Sequence, residues 1–343
     1  MTHTWPDVLS TLVAGGDLSA EQASWAMGEV LSGEATPSQI AGFAVALRAK
    51  GETIDEIAGL SDAMLASANP ISIPGRLLDV VGTGGDRSMS VNISTMAAIV
   101  AAGAGAIVVK HGNRSASSKA GSADVLEELG IRLDLTPQDV AAVATEVGIT
   151  FCFAAAFHPS LRHAAVPRRE LGIGTAFNFL GPLANPVRPA AQAIGCADLR
   201  MAPVMAGVFA RRGVDAWVFR GDDGLDELTI STTSQVWMVR GGQVTTYVVD
   251  PTEFGLPLAA VDALRGGDVV HNAAVVKAML AGETGPVRDA VVLNAGAALA
   301  VYGGKADDPR TMLSDGIALA RQAIDSGAAR ELLERWVTAS SAR

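Results

Sequence analysis

Four short segments of this chain concentrate groups suited to binding anions, a hard cation or a planar acid. The first, Asp79-Val80-Val81-Gly82-Thr83-Gly84-Gly85-Asp86, carries an apolar strand into a glycine turn and is followed by Ser90-Val91-Asn92-Ile93-Ser94-Thr95. Missing side chains let backbone N–H groups approach an anion, and the Ser/Asn/Ser/Thr cluster opens the next helix, where the dipole is positive. The combination is a phosphate cradle. Its Gly-x-Gly-Gly-Asp spacing is not the dinucleotide fingerprint, and no Gly-Lys-Ser/Thr follows as in a Walker loop. Taken alone, the glycine run also reads as a tight strand-to-helix turn without a ligand.

The second segment, Lys110-His111-Gly112-Asn113-Arg114-Ser115-Ala116-Ser117-Ser118-Lys119, leaves the strand 106–109 with three cations, a histidine, an amide and three hydroxyls. In open α/β sheets, ligands sit past the carboxyl ends of strands, which makes this donor array a site rather than a solvated face. The third, Asp222-Asp223-Gly224-Leu225-Asp226-Glu227, offers adjacent carboxylates, the hard oxygen ligands Mg²⁺ prefers when phosphate shares it. The fourth joins His158-Pro159-Ser160-Leu161-Arg162-His163, Arg168-Arg169-Glu170-Leu171-Gly172 and a turn-rich run from Phe177 to Pro186. Its arginines could present bidentate forks to a carboxylate or phosphate, with Glu170 the expected partner of those that serve structure.

Elements must hold these segments in place. Ser19-Ala20-Glu21-Gln22, Thr36-Pro37-Ser38-Gln39 and Thr53-Ile54-Asp55-Glu56 each set a hydroxyl three residues before a Glu or Gln, predicting three capped helices within the first seventy residues. From Leu77 the period changes: apolar runs at 78–81, 106–109, 149–153 and 216–219 alternate with helical stretches such as 120–129 and 137–147, predicting α/β with a mainly parallel sheet. Gln235 to Arg240 and Gln243 to Val249, split by Gly241-Gly242, predict a hairpin and hence an antiparallel portion. The Arg- and Pro-rich stretch from Pro159 to Pro189 interrupts this rhythm and could return to the helical unit.

Composition excludes several function classes. At 343 residues with 49% hydrophobic, the chain can bury a large core, and its net charge of −10 opposes non-specific attraction to nucleic acid or anionic lipid. Cys152 and Cys196 sit among apolar neighbours and read as inert buried thiols of a reducing compartment. Met1 to Gly16 lacks the charged start and apolar run of a secretory signal, so a cytoplasmic location is expected. Ser88 to Val109 carries no charge, yet its early polar residues and late glycines suit a buried helix and strand better than a membrane span.

In their order and spacing the four segments resemble the anthranilate phosphoribosyltransferases of tryptophan biosynthesis, over nearly the whole chain. Gly-Thr-Gly-Gly-Asp alone is shared with pyrimidine nucleoside phosphorylases; Lys-His-Gly-Asn-Arg-Ser with Arg-Arg-Glu-Leu-Gly and Asn-x-Leu-Gly-Pro-Leu-x-Asn-Pro is far more specific. The resemblance implies a fold of nucleoside phosphorylase and phosphoribosyltransferase type. A small all-helical domain, 1–70 with a returning segment at about 164–188, would sit on a large α/β domain, 71–163 and 189–343, and two copies would pair as a homodimer through the helical parts. It further implies that Gly82, Gly85, Asp86, Ser90, Asn92, Ile93, Ser94, Thr95, Lys110, His111, Gly112, Asn113, Arg114, Ser115, Ala116, Ser117 and Ser118, with Ser122 at the edge, hold phosphoribosyl pyrophosphate. Ser94, Asp226 and Glu227 would bind Mg²⁺, and Gly82, Asn113 and Arg168, with His111 nearby, would meet anthranilate. Three positions depart from the family pattern: Ala120 stands where Cys is common, Val166-Pro167 reverses a usual Pro-Val before Arg168, and Gly174 stands where Arg is frequent.

The chemistry points the same way. A sugar 1-pyrophosphate ionises toward an oxocarbenium-like state, so the protein need only hold the donor, neutralise the leaving group and place a nucleophile in line. An aromatic amine is largely unprotonated at neutral pH, and the chain offers no Ser/His/Asp or Cys/His arrangement; neither a covalent nucleophile nor a general base is expected. Two alternatives stay open on sequence grounds. A pyrimidine nucleoside phosphorylase would share the first segment but needs neither the acidic pair nor the arginines, and a non-catalytic relative that binds nucleic acid is opposed by the net charge.

Overall fold

The computed structural model describes residues 3–114 and 119–343. Four helices come first: α1 (Trp5–Val13), α2 (Ala20–Ser32), α3 (Pro37–Lys50) and α4 (Ile54–Ala66). The three anticipated capping boxes all form, at Ser19/Gln22, Thr36/Gln39 and Thr53/Glu56. Helix α1 was not anticipated. It is only nine residues long, and Thr4 caps it with Asp7, not Glu or Gln, at the third position.

The α/β part follows as β1 (Leu77–Gly82), α5 (Ile93–Gly103), β2 (Ile107–Gly112), α6 (Ser122–Glu128), α7 (Pro137–Val147), β3 (Ile149–Phe153), α8 (Ala154–Phe157) and α9 (Ala165–Leu171). It continues through β4 (Ala191–Gly195), α10 (Met201–Arg212), β5 (Asp215–Gly221), β6 (Ser234–Arg240) and β7 (Gln243–Val249). It closes with α11 (Val269–Leu280), α12 (Pro286–Gly303), α13 (Pro309–Asp325) and α14 (Ala328–Ser341). The sheet order is β3-β2-β1-β4-β5-β6-β7, parallel from β3 to β5 and antiparallel from β5 to β7. The mainly parallel sheet and the terminal hairpin match the reading of the sequence.

Strand β4 escaped that reading. Ala191-Gln192-Ala193-Ile194-Gly195 has little β-branched character, yet it is buried along its whole length at the centre of the sheet, so tertiary context overrides weak propensity. Alternate residues of the strands serve two cores. Trp217 and Phe219 face a layer formed by α5, α12, α13 and α14, while Ala216 and Val218 face α10 and the N-terminal helices. Ala164, Phe177, Phe179 and Leu183 share the second core with α2 to α4, so the interrupting stretch packs on the helical segment. The uncharged run after Ser88 is the buried α5 and the start of β2, and among the described residues no helix is long and apolar enough to cross a membrane. Cys152 and Cys196 are fully buried, and burial pushes both thiols up, Cys196 to about 12.

Candidate active site

Successive parallel strands are added on opposite sides of the β1–β4 pair, and at such a switch point the crevice past the strand ends is the natural ligand position. Gly82 and Gly195 are paired there, and the Thr83 N–H donates to the Gly195 carbonyl over 3.0 Å. The segment after β5 crosses directly above. A Cβ on Gly195 would overlap the Asp226 carbonyl, and one on Gly82 would overlap its carboxylate. The Gly84 N–H donates to Asp226 Oδ2 over 2.7 Å, joining the glycine turn to the acidic segment. Beyond this turn, Asp86 accepts both the Ser88 hydroxyl (2.6 Å) and its N–H (3.3 Å), and Arg87 and Met89 are left-handed at φ 61° and 54°. Non-glycine residues in that region cost about 1–3 kcal/mol each and persist only where their surroundings hold them.

Of the acidic segment, only Asp226 and Glu227 turn inward. Asp222 accepts the Thr233 hydroxyl and Asp223 those of Thr229 and Ser231, so that pair builds the turn. Asp226 and Glu227 are buried, and burial pushes both carboxyls up. Asp226 reaches about 6, raised further by Asp86 and opposed by the Gly84 N–H. Glu227 goes well above its usual range, with the Asp226 charge adding to burial and Lys110 opposing. Lys110 lies beneath them, 1% exposed, donating to the Val80 carbonyl over 2.5 Å and to Ser94 Oγ over 3.2 Å. Burial lowers its ammonium while Asp79, Glu227 and Asp226 raise it.

Two close, desolvated carboxylates beside a hydroxyl and one lysine form a donor set short of positive charge, and a hard divalent cation fits that set. Among the described residues no cluster of three or more His, Cys, Asp or Glu could hold a metal. The remaining ligands would therefore come from phosphate and water, as Mg²⁺ prefers.

The N-terminus of α5 faces the same crevice. Asn92 occupies the N-cap position without capping, its Nδ2 going instead to the Ala120 carbonyl over 3.1 Å, and the Ser94 N–H of the first turn goes to the Glu227 carboxylate. Ile93 buries its side chain in the core and gives its N–H to Val91, and Thr95 is buried with Oγ1 lacking a partner among the described residues. Arg114 bonds Asp124 (2.6 Å) and Glu127 (2.6 and 2.9 Å) and lies 5.6 Å over the Phe153 ring. Ser122 Oγ donates to the Asn113 carbonyl over 3.2 Å. Ser115, Ala116, Ser117 and Ser118 lie outside the described residues.

At the end of β2 the His111 ring is held by Nδ1, which donates to the Gly181 carbonyl over 2.9 Å. That fixes the tautomer and leaves Nε2 as a buried acceptor without a partner among the described residues. Burial drops the imidazole to about 3, and His158, 5.2 Å away between ring centroids, adds to the drop. His158 donates to Ala184 over 2.8 Å, so two histidines pin the 181–185 run over the sheet. Pro167 is buried inside α9, and the half-buried Arg168 beside it stacks 5.5 Å from the Phe177 ring. The expected ion pair to Glu170 does not form among the described residues; Arg162 and Arg169 are exposed.

Three residues of this architecture were not singled out from the sequence. Asp79, fully buried in β1, accepts the His111 N–H over 3.0 Å and Asn185 Nδ2 over 2.8 Å, and burial pushes it to about 6. Its signal was a lone charge inside an apolar strand. Asn185 lay within a run that read as structure, and Asn272 of α11, bonded to Asn92, had no local signal at all.

Residues 74–330 match the glycosyl transferase family, a/b domain, and residues 6–68 the helical bundle domain of the same family. The chain is 71% identical over 338 residues to the anthranilate phosphoribosyltransferase of a Nocardioides species, covering 98% of this chain and 99% of that protein. The chain belongs to the anthranilate phosphoribosyltransferase family. The family's crystal structure from Thermus thermophilus superposes with a TM-score of 0.91 at 42% identity, covering 98% of this chain and 99% of that one. The Saccharomyces cerevisiae anthranilate phosphoribosyltransferase, solved in complex with PRPP and Mg, gives 0.90 at 26% identity over 99% and 98% of the two chains. These relatives are named for the anthranilate reaction and not for phosphorolysis, so the nucleoside phosphorylase alternative gains no support.

Proposed function

We propose that this chain transfers the phosphoribosyl group of 5-phosphoribosyl 1-pyrophosphate to the amine of anthranilate, giving N-(5-phosphoribosyl)anthranilate and pyrophosphate in tryptophan biosynthesis. The observation that carries the reading is the bond from Gly84 N–H to Asp226 Oδ2, which makes the anion-binding turn and the acidic pair walls of one crevice, with Lys110 beneath it. Family membership and the relatives' names support the same reaction.

Ser94, Asp226 and Glu227 would hold Mg²⁺, which when bound neutralises pyrophosphate and stabilises charge on the leaving oxygen. The N-terminus of α5 and the glycine turn receive the donor's phosphates, and Lys110 adds its ammonium close by. Arg168 presents a planar fork to the anthranilate carboxylate, and its stacking on Phe177 limits the directions in which it can point. Neutral His111 offers Nε2 as an acceptor for an amine N–H and is too acidic as an imidazolium to serve as the base at neutral pH. The amine nitrogen bonds to the anomeric carbon, the carbon–oxygen bond breaks with its electron pair leaving on pyrophosphate, and one amine proton is released. The division into 1–70 with 164–188 and the remainder, pairing as a homodimer through helical surfaces where Val13, Val45 and Val166 are exposed, and a cytoplasmic location belong to the same proposal.

Anthranilate fluorescence tests it. Purified protein should quench it only when phosphoribosyl pyrophosphate and Mg²⁺ are both added; no loss with folded protein would reject the assignment.

A further inference from the structure

Asn272 lies in the first turn of α11, 3% exposed, with both ends of its side chain engaged. Its Oδ1 accepts the Gly267 N–H over 2.8 Å, and its Nδ2 donates to Oδ1 of Asn92 over 2.8 Å. Asn92 in turn donates from Nδ2 to the Ala120 carbonyl over 3.1 Å. The three bonds run in one direction, so neither amide can turn over without setting two acceptors or two donors face to face. They join segments far apart in sequence: the one entering α11, the turn after β1, and the one entering α6. Backbone bonds reinforce the first junction on either side of Ser90, Val91 N–H to Leu264 over 2.9 Å and Gly266 N–H to the carbonyl of left-handed Met89 over 2.8 Å.

The relay has a consequence for α5. Asparagine is among the preferred N-cap residues, because its oxygen can accept the first free amides. Asn92 stands at that position and does not do so, since its oxygen is taken by Asn272 and its nitrogen by Ala120. We propose that Asn272 is a positioning residue for the phosphoribosyl donor: it holds the Asn92 side chain off the N-terminus of α5, leaving to a phosphate the first-turn amide of Thr95, which neither Val91 nor Glu227 engages, and fixes the turn after β1 against the segment before α6. The inference rests on the function proposed above and extends it to a residue on a distant helix.

Asn272→Asp tests the direction of the relay. The acid still accepts from Gly267 but cannot donate, and Asn92, turning to donate to it, would set its own oxygen against the Ala120 carbonyl. The KM for phosphoribosyl pyrophosphate should rise at least about tenfold while that for anthranilate stays within about twofold, a split that general loss of structure would not produce. In an Asn92→Ala background the same substitution should add no further rise. An unchanged donor KM, equal rises in both constants, or an additive rise in that background would overturn the proposal. Calorimetric titration of the wild type and of Asn272→Ser with phosphoribosyl pyrophosphate and Mg²⁺ alone separates this from the parent reading. Weaker binding by the variant supports the positioning role even if anthranilate is not the acceptor, and equal affinity defeats it. Asn272→Ser also serves if Asn272→Asp fails to fold.

Discussion

The Gly84 N–H and Asp226 Oδ2 stand 2.7 Å apart, although 142 positions separate the two residues along the chain. This bond sits where β1 and β4 diverge, and glycines at 82 and 195 leave the space Asp226 needs. The glycine turn and the acidic pair thereby become one pocket wall. Lys110, reaching up from β2 to Ser94, ties the second segment to the first, with its ammonium facing the Asp226 and Glu227 charges.

The acidic pair should matter to turnover far more than to folding. Converting Asp226 to Asn and Glu227 to Gln keeps the acceptor for Gly84 and removes two carboxylates that burial pushes up. Turnover should drop at least about 100-fold, roughly 3 kcal/mol of lost stabilisation. The Tm in metal-free buffer should stay level or rise, because burying charge is costly. Steady-state rates and thermal melts check both halves; undiminished turnover would remove the metal assignment.

Gly195→Ala should damage both stability and turnover. Its Cβ meets the Asp226 backbone carbonyl, which cannot swing aside as a side chain could. Overpacking of this kind costs about 1–3 kcal/mol and here also displaces the acidic pair. Denaturant titration and kcat together test it, and wild-type values in both would contradict the crossing described.

Arg168→Gln should raise the anthranilate KM by tenfold or more, on the order of the cost of a charge-assisted bond, and leave the donor KM nearly unchanged. Arg168→Lys should not restore it, since an ammonium lacks the planar fork. Equal changes in both substrate constants would refute the role.

His111 should impose a measurable pH dependence on stability. Its folded value is about 3 against an ordinary 6.5, so between those limits the unfolded chain binds more protons and stability rises with pH. The contribution is present above about 6.5 and is lost as pH falls below it. Relative to His111→Gln, the wild type should lose about 2 kcal/mol between pH 7 and pH 5. Denaturant melts of both proteins at the two pH values provide the comparison, and a constant difference would contradict a buried neutral imidazole.

Local signals were legible where the physics is local. Capping boxes at Ser19, Thr36 and Thr53 announced their helices because both partners lie three residues apart. The Gly84-Gly85 turn, with φ of 69° and 89°, and the apolar run before it announced a strand and a tight turn for the same reason. Strand β4 was hidden because burial on both faces, and not the propensity of Ala and Gln, holds it in the sheet. Asp222 and Asp223 read like Asp226 and Glu227 until the turn was seen to spend the first two on hydroxyls. Asp79, Asn185 and Asn272 act through partners 32 to 180 positions away, separations that no window of sequence covers.

The most direct measurement follows anthranilate and pyrophosphate together in one reaction with purified protein, phosphoribosyl pyrophosphate and Mg²⁺. Anthranilate should disappear and pyrophosphate appear in equal amounts, with neither change when any one component is omitted. Anthranilate left intact by folded protein, with phosphorolysis of uridine or thymidine in its place, would contradict the proposed transfer.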